Sequence, residues 1–150
     1  MSLKMTTNER EEFLAGLHVG MIGIAEPGRG PLTVPIWYGY EPGGELWIVT
    51  ERDSRKGKLL QQVERISLCA QTETPPYKYV SVEGPITSIE TSDLEEHERP
   101  MAHRYLNAEF GDRYIEATGG AEARGGNIVV KMRPERWLTT DYSKQFSAPE

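Results

Sequence analysis

Tyr77-Lys78-Tyr79-Val80-Ser81-Val82-Glu83-Gly84-Pro85-Ile86-Thr87-Ser88-Ile89-Glu90 is the stretch on which the fold turns. β-Branched and aromatic residues dominate it, which is strand composition, and it is long for a single strand. Gly84-Pro85 in its middle predicts a bulge or bend, because proline cannot donate to a central ladder. Immediately upstream, Glu73-Thr74-Pro75-Pro76 is a stiff loop that forbids continuation of helix or ladder. Residues 65–71 before that loop read as another strand.

Working outward, residues 32–40 are rich in β-branched and aromatic side chains and end at the hairpin signal Glu41-Pro42-Gly43-Gly44. Met21-Ile22-Gly23-Ile24-Ala25 is a short strand ahead of them, separated from them by the turn cluster Pro27-Gly28-Arg29-Gly30-Pro31, and residues 46–50 form a third. Three strands with two short Gly-rich turns read as a meander. Helical periodicity interrupts twice. Asn8 with Glu11 predicts a helix start, Phe13, Leu14 and Leu17 supply its apolar stripe, and Gly20 marks its exit. Ser54 is a good N-cap for a segment whose apolar face is Leu59, Leu60 and Val63. Ser92 opens a charged helical stretch that Pro100 splits or restarts. The turn-rich piece 119–126 leads to a last β pair, 127–132 and 137–142, joined through Arg133-Pro134-Glu135-Arg136.

The sum is six or seven strands with helices at the margins, which fits a mainly β, antiparallel split barrel with helices plugging its ends. One domain is expected over residues 1–150, with 1–7 and 143–150 as flexible tails.

Composition narrows the function. With 17 Lys+Arg against 23 Asp+Glu, the net charge of −6 argues against a nucleic-acid partner. Apolar runs such as Ile128-Val129-Val130 are far short of the ~20 residues a membrane span needs. The polar N-terminus does not resemble a secretory signal, and the single Cys69 cannot form an internal disulfide, so the expected setting is the reducing cytoplasm.

No phosphate-cradling Gly-x-Gly-x-x-Gly, Walker loop, nucleophile elbow or His-Glu-x-x-His is present. His18, His97 and His103 are scattered without metal-ligand spacing, so no metal site is expected. Cys69 reads as a packed small hydrophobe, and Glu95, Glu96 and Glu98 as a solvated face.

Two segments stand out. Thr50-Glu51-Arg52-Asp53-Ser54-Arg55-Lys56-Gly57-Lys58 holds four bases and two acids at a strand-to-helix junction. Helix starts favour acids, so Arg55 and Lys56 in the first turn point to a bound phosphate, with the Ser54 and Thr50 hydroxyls as further donors; a solvated turn is the plain alternative. In Val34-Pro35-Ile36-Trp37-Tyr38, Pro35 predicts an edge or interrupted ladder. Backbone groups left free there suit a planar heterocycle walled by Trp37 or Tyr38, although barrel core explains the same residues.

In order along the chain, Val34-Pro35-Ile36-Trp37, Leu46-Trp47-Ile48-Val49-Thr50, Ser54-Arg55-Lys56 with Leu59-Leu60, and Tyr79-Val80-Ser81-Val82-Glu83-Gly84-Pro85 resemble the pyridoxamine 5′-phosphate oxidase-like family of flavin-binding split barrels. The small actinobacterial branch of flavin- or deazaflavin-dependent oxidoreductases is the nearest likeness. The resemblance implies a cofactor phosphate held by Arg55 and Lys56 with Ser54 and Thr50 beside them. It also implies an isoalloxazine ring along Val34, Pro35, Ile36 and Trp37. Tyr79 stands where the true oxidases carry a flavin-contacting glutamine, and their basic C-terminal segment has no counterpart, so vitamin B6 synthesis is not implied. A homodimer with cofactor sites between barrels is the family's usual assembly, and three Trp and seven Tyr supply aromatic surface for one.

The expectation that follows is an oxidoreductase using FMN, or alternatively the deazaflavin coenzyme F-420, to pass a hydride to or from a small organic substrate, with no catalytic side chain assigned. A flavin-carrying or ligand-sequestering protein without turnover is the alternative. The acidic tail of the deazaflavin would need a basic groove, for which Arg52, Lys58 and Lys78 are candidates.

Overall fold

In the computed structural model, which describes residues 2–120 and 126–145, the long central run forms one bent strand. The elements are α1 (Thr7–Ala15), β1 (Gly20–Ile24), β2 (Leu32–Ile36), β3 (Leu46–Glu51), α2 (Arg55–Leu60), β4 (Arg65–Gln71) and β5 (Lys78–Thr91). A π-helical turn (Leu94–Glu98) leads into α3 (Arg99–Ala117), followed by β6 (Asn127–Met132), β7 (Arg136–Asp141) and a 3-10 turn (Tyr142–Gln145).

Strand β5 organises the sheet. Its first half pairs with β4 on one side and β7 on the other, and its second half pairs with β6. The irregularity expected at Gly84-Pro85 falls just beyond it, as a register shift between Ile86 and Ser88, while Gly84 and Pro85 pair in register with Ile66 and Arg65 of β4. Glycine is required at 84, because a Cβ there would lie 1.8 Å from the Arg133 carbonyl oxygen.

The last two strands do not pair with each other, contrary to the sequence expectation. They lie end to end along β5, interrupted at Arg133-Pro134-Glu135, while Arg133 N–H donates to Pro85 O (3.0 Å) and Glu135 N–H to Glu83 O (2.9 Å). A partner as long as β5 can serve both, and a proline between them leaves a gap in the ladder.

The meander is also only half realised. β1 and β2 form the expected hairpin, but β3 pairs along its whole length with β6. The segment that follows β2 meets β3 at a single bridge, Gly39 with Trp47. The Trp47 indole lies over Gly39, where a Cβ would be 2.3 Å away, so only glycine allows the approach. The path β2-β1-β4-β5-β6-β3 thus curls until its two ends touch at one point, giving a curled antiparallel half-barrel of seven strands, split between β2 and β3. Pro35 sits on this edge strand, where its missing donor costs no ladder bond on the open side.

Ile22, Ile48, Leu68, Val80, Ile128 and Met132 fill the interior at 0–1 % exposure. Tyr38 is fully buried too, and its O–H donates to Leu14 O on α1 at 2.6 Å. α1 starts earlier than the Asn8 expectation: Thr6 caps it, with Thr6 Oγ1 accepting from Glu9 N–H and Glu9 Oε1 accepting from Thr6 N–H. It also ends earlier, with Gly16 as the C-cap, while Gly20 opens β1.

Leu3 and Met5, in the segment expected as an N-terminal tail, lie against β7. Met5 is buried and its N–H donates to Thr139 Oγ1 (3.0 Å), and Asp141 N–H donates to Leu3 O (2.8 Å). Lys144 Nζ donates to Lys4 O and Glu9 Oε1, so residues 143–145 close onto the same corner. The rest of the expected C-terminal tail, 146–150, lies outside the described residues, as does 121–125 of the turn-rich piece.

α3 has Pro100 in its first turn, where a missing N–H is harmless, and bends at Asn107 (φ 67°). Gly111 of the second segment sits against Ala102 and His103 of the first, close enough that a Cβ would clash. Both segments therefore fold back over the barrel's split side.

Candidate functional site

Beyond the Gly39–Trp47 bridge, β2 and β3 part, and the gap between them opens into a cleft of about 860 Å³. That volume is in the range of small-molecule and cofactor sites. Val34, Pro35, Ile36 and Trp37 of the β2 side line it, with Val49 and Thr50 of β3 and Ser54, Arg55 and Lys56 at the start of α2. Eight of the nine residues singled out in the sequence thus share one cleft. Met101, Tyr114 and Ile115 of α3 and the buried pair Glu98 and Asn127 line it too, and none of these five was anticipated.

The lining has a direction. Met101 also borders a second hollow that includes Gly39 and Trp47, so the α3 side of the cleft begins at the bridge. Here the wall is apolar and aromatic. The Trp37 ring stacks on Tyr105 (centroids 5.0 Å apart, planes 4° from parallel) and tilts against Tyr114. Tyr105 is held by its O–H to His18 O at 2.6 Å. Trp37, not Tyr38, is therefore the wall: Tyr38 is a core residue, and burial pushes its phenol pKa well up.

Further along β3 the lining turns polar at Thr50, which the β3–β6 register sets opposite Ile128, next to Asn127. Glu98 is 6 % exposed, Asn127 7 % and Thr50 9 %. Ser92 Oγ–H and Asn127 Nδ2–H donate to the two Glu98 oxygens at 2.7 and 2.8 Å. Glu98 was expected on a solvated face; Glu95 and Glu96 are indeed exposed, but the π-helical turn directs Glu98 inward. Residue spacing carries no mark of that extra residue per turn.

The far end is cationic. Lys56 is about half-buried, and burial lowers its pKa, opposed by the field of Glu51. It makes no hydrogen bond or ion pair among the described residues. Arg55 differs from the sequence expectation, because its guanidinium is engaged by Glu26 Oε1 at 2.5 Å. Ser54 differs as well: its hydroxyl caps α2 by accepting from Gly57 N–H (3.0 Å) and donates to Glu51 O (2.8 Å). With α2 only six residues long and its cap filled, the helix start offers less to an anion than the sequence implied.

The three candidate groove bases do not converge. Arg52 reaches Thr91, Lys58 lines a separate recess beside Arg55 and Glu26, and Lys78 lies opposite Asp141 at the far end of β5.

Tyr79 lies outside the cleft lining, on the outer face of the sheet between Gln71 and Thr140. The neighbouring row on that face runs Pro35, Met21, Cys69, Ser81, Leu138 across five strands. Leu138 is 63 % exposed and Met21 39 %, and Val19, which also borders the cleft, is 53 % exposed. Cys69 is half-buried in this row, and burial pushes its thiol pKa up.

The histidines are occupied locally, His18 on Phe13 O, His97 on Asp93 N–H and His103 on Asp112. Among the described residues no three potential ligands gather around a metal position, and no helix is long and apolar enough to cross a membrane.

Residues 6–141 match the family described as Pyridoxamine 5′-phosphate oxidase. No curated protein matches the chain. Among solved structures, a conserved hypothetical protein of Mycobacterium tuberculosis aligns with a TM-score of 0.74 at 19 % identity, over 99 % of this chain and 92 % of that one. A FAD-binding protein of Mesorhizobium loti aligns at 0.63 and 18 % identity, over 90 % and 94 %. An F-420 reductase aligns at 0.62 and 15 % identity, over 85 % and 94 %. At such identities the likeness is one of fold.

Proposed function

The chain belongs to the pyridoxamine 5′-phosphate oxidase family, and from that premise we propose that it is a flavin-dependent oxidoreductase that holds FMN non-covalently in the cleft between β2 and β3. F-420 is the alternative cofactor. The bound cofactor would supply hydride transfer to or from a small organic substrate, and the chain's own residues would bind and orient it.

One observation carries this reading. Lys56 is a half-buried cation in the cleft with no acid bonded to it, at the opposite end from the apolar, aromatic wall. Burying a cation without a partner is unfavourable, so an anionic ligand group is the natural complement. Trp37, backed by Tyr105, gives a rigid flat wall for a planar ring, and Val34, Ile36 and Val49 exclude water from its edge. The separation of Arg52, Lys58 and Lys78 favours FMN, since a polyanionic tail finds no row of bases beside the cleft.

A homodimer is part of the same proposal. The Pro35–Leu138 row is a partly exposed, largely apolar sheet face, and Val19 joins it to the cleft mouth. A second copy seated on that face would cover the open side of the cleft and bury Tyr79.

The test is a spectrum of the purified protein, followed by titration with FMN and F-420. FMN binding with a perturbed absorbance band, then reoxidation of the reduced complex that depends on the acceptor offered, is the expected result. Binding with no acceptor selectivity would leave a carrier, and absence of binding to either cofactor would overturn the proposal.

A further inference from the structure

Lining the cleft between its aromatic wall and Lys56 are two polar side chains that are more than nine-tenths buried yet incompletely bonded. Thr50 Oγ1 makes no hydrogen bond among the described residues, and Asn127 uses its Nδ2 on Glu98 while its Oδ1 has no partner. Neither oxygen is among the fully enclosed unbonded atoms of the structure, so both keep contact with the cleft space. Buried polar groups are almost always satisfied, and a pair left open toward a cleft points to ligand groups that satisfy them.

Glu98 decides which way Asn127 faces. Its carboxylate takes the amide N–H at 2.8 Å, and reversing the amide would set Oδ1 against a carboxylate oxygen. Ser92 Oγ–H, at 2.7 Å, fixes the other Glu98 oxygen. The buried acid therefore acts as a positioning residue that commits Asn127 to present an acceptor. Thr50, one step along β3 from Glu51, adds a hydroxyl that both donates and accepts.

We propose that Thr50 and Asn127, the latter oriented by Glu98, recognise the hydroxyl-bearing chain that links the planar ring of the ligand to its anionic group. The order along the cleft supports this: aromatic and apolar wall at Trp37 and Val49, hydrogen-bonding belt at Thr50 and Asn127, cation at Lys56. A ring, a polyol and a phosphate in covalent sequence have the same order. The inference rests on the flavin reading and adds the polyol as a separately recognised part.

Three flavins separate the contributions: lumiflavin is the ring alone, riboflavin adds the polyol, and FMN adds the phosphate. The quantity to measure is the riboflavin-over-lumiflavin affinity ratio, by fluorescence quenching, with thermal unfolding of each variant. Asn127→Ala and Thr50→Val are each expected to lower that ratio about fivefold, the size of one neutral hydrogen bond, with lumiflavin affinity held. Glu98→Gln, which releases the amide orientation, is expected to lower it as well. Ser92→Ala, behind Glu98 and outside the cleft, is expected to lower the melting temperature with a much smaller change in ratio. Thr50→Val is nearly isosteric and serves if the Asn127 variant fails to fold. An unchanged ratio in variants that still bind lumiflavin would overturn this inference alone; wild-type protein that binds none of the three would remove the flavin reading and the inference together.

Discussion

Arg55 Nη2 lies 2.5 Å from Glu26 Oε1, so of the two adjacent cations at the start of α2 only Lys56 meets the cleft without a bonded carboxylate. The two should therefore respond differently to mutation. Lys56→Glu is expected to weaken FMN binding by at least about tenfold to a hundredfold, the worth of a charge-assisted bond replaced by a repulsion, while unfolding free energy changes by no more than about 1 kcal/mol. Arg55→Gln should weaken FMN only a few-fold. Isothermal titration and urea unfolding of both variants check this, and equal losses at the two positions would contradict it.

Binding should also depend on pH through Lys56. Burial lowers its pKa, so the free protein gives up this proton below the ordinary lysine value of about 10.4. A bound anion would hold the proton in place. The FMN-over-riboflavin affinity ratio is then expected to be full near neutrality and to fall as pH rises through the lowered pKa, whereas in Lys56→Ala it stays flat. Taking the ratio cancels titration of the ring, which both ligands share. The same burial makes the unfolded chain the better proton binder at this site, so in the absence of ligand this group's unfavourable contribution to stability is relieved as pH rises across the same window.

Tyr38 ties the barrel to α1. Its buried O–H donates to Leu14 O at 2.6 Å, and Tyr38→Phe keeps the ring while deleting that donor. A loss of about 1–3 kcal/mol in unfolding free energy is expected, read from urea denaturation, with FMN affinity changed less than twofold because the residue lies outside the cleft lining.

The outer sheet face predicts an assembly. Leu138, in line with Ser81, Cys69 and Met21, is 63 % exposed in the single chain. Leu138→Arg is expected to convert a dimer to monomers at micromolar concentration, by sedimentation equilibrium, with the melting temperature of the monomer unit little altered. A mutant that stays dimeric would place the contact elsewhere.

What was legible along the chain was whatever short-range chemistry dictates. Arg65–Gln71 begins and ends where composition put it, Ser54 caps a helix, and β5 carries an irregularity within a few residues of Gly84-Pro85. The edge character of β2 followed from Pro35 for the same reason, since a missing donor is a local fact. Most of the cleft was legible too, because the basic turn and the Val34–Trp37 run are each contiguous in sequence.

Partner choice was not. Whether Leu46–Glu51 pairs with β2 or with β6, and whether β6 and β7 pair or lie end to end, depends on which strand is long enough and free enough to receive them. The state of each charge was equally hidden: Arg55 is held by an acid twenty-nine positions away, and Glu98 is turned inward by a π-helical turn and bonded to Asn127. Backbone preference and side-chain pattern act over a few residues, so the chain alone determines strands, turns and caps. Contacts between distant segments are set by the geometry of closing the sheet, and that closure alone decided which polar groups face the cleft with nothing bonded to them.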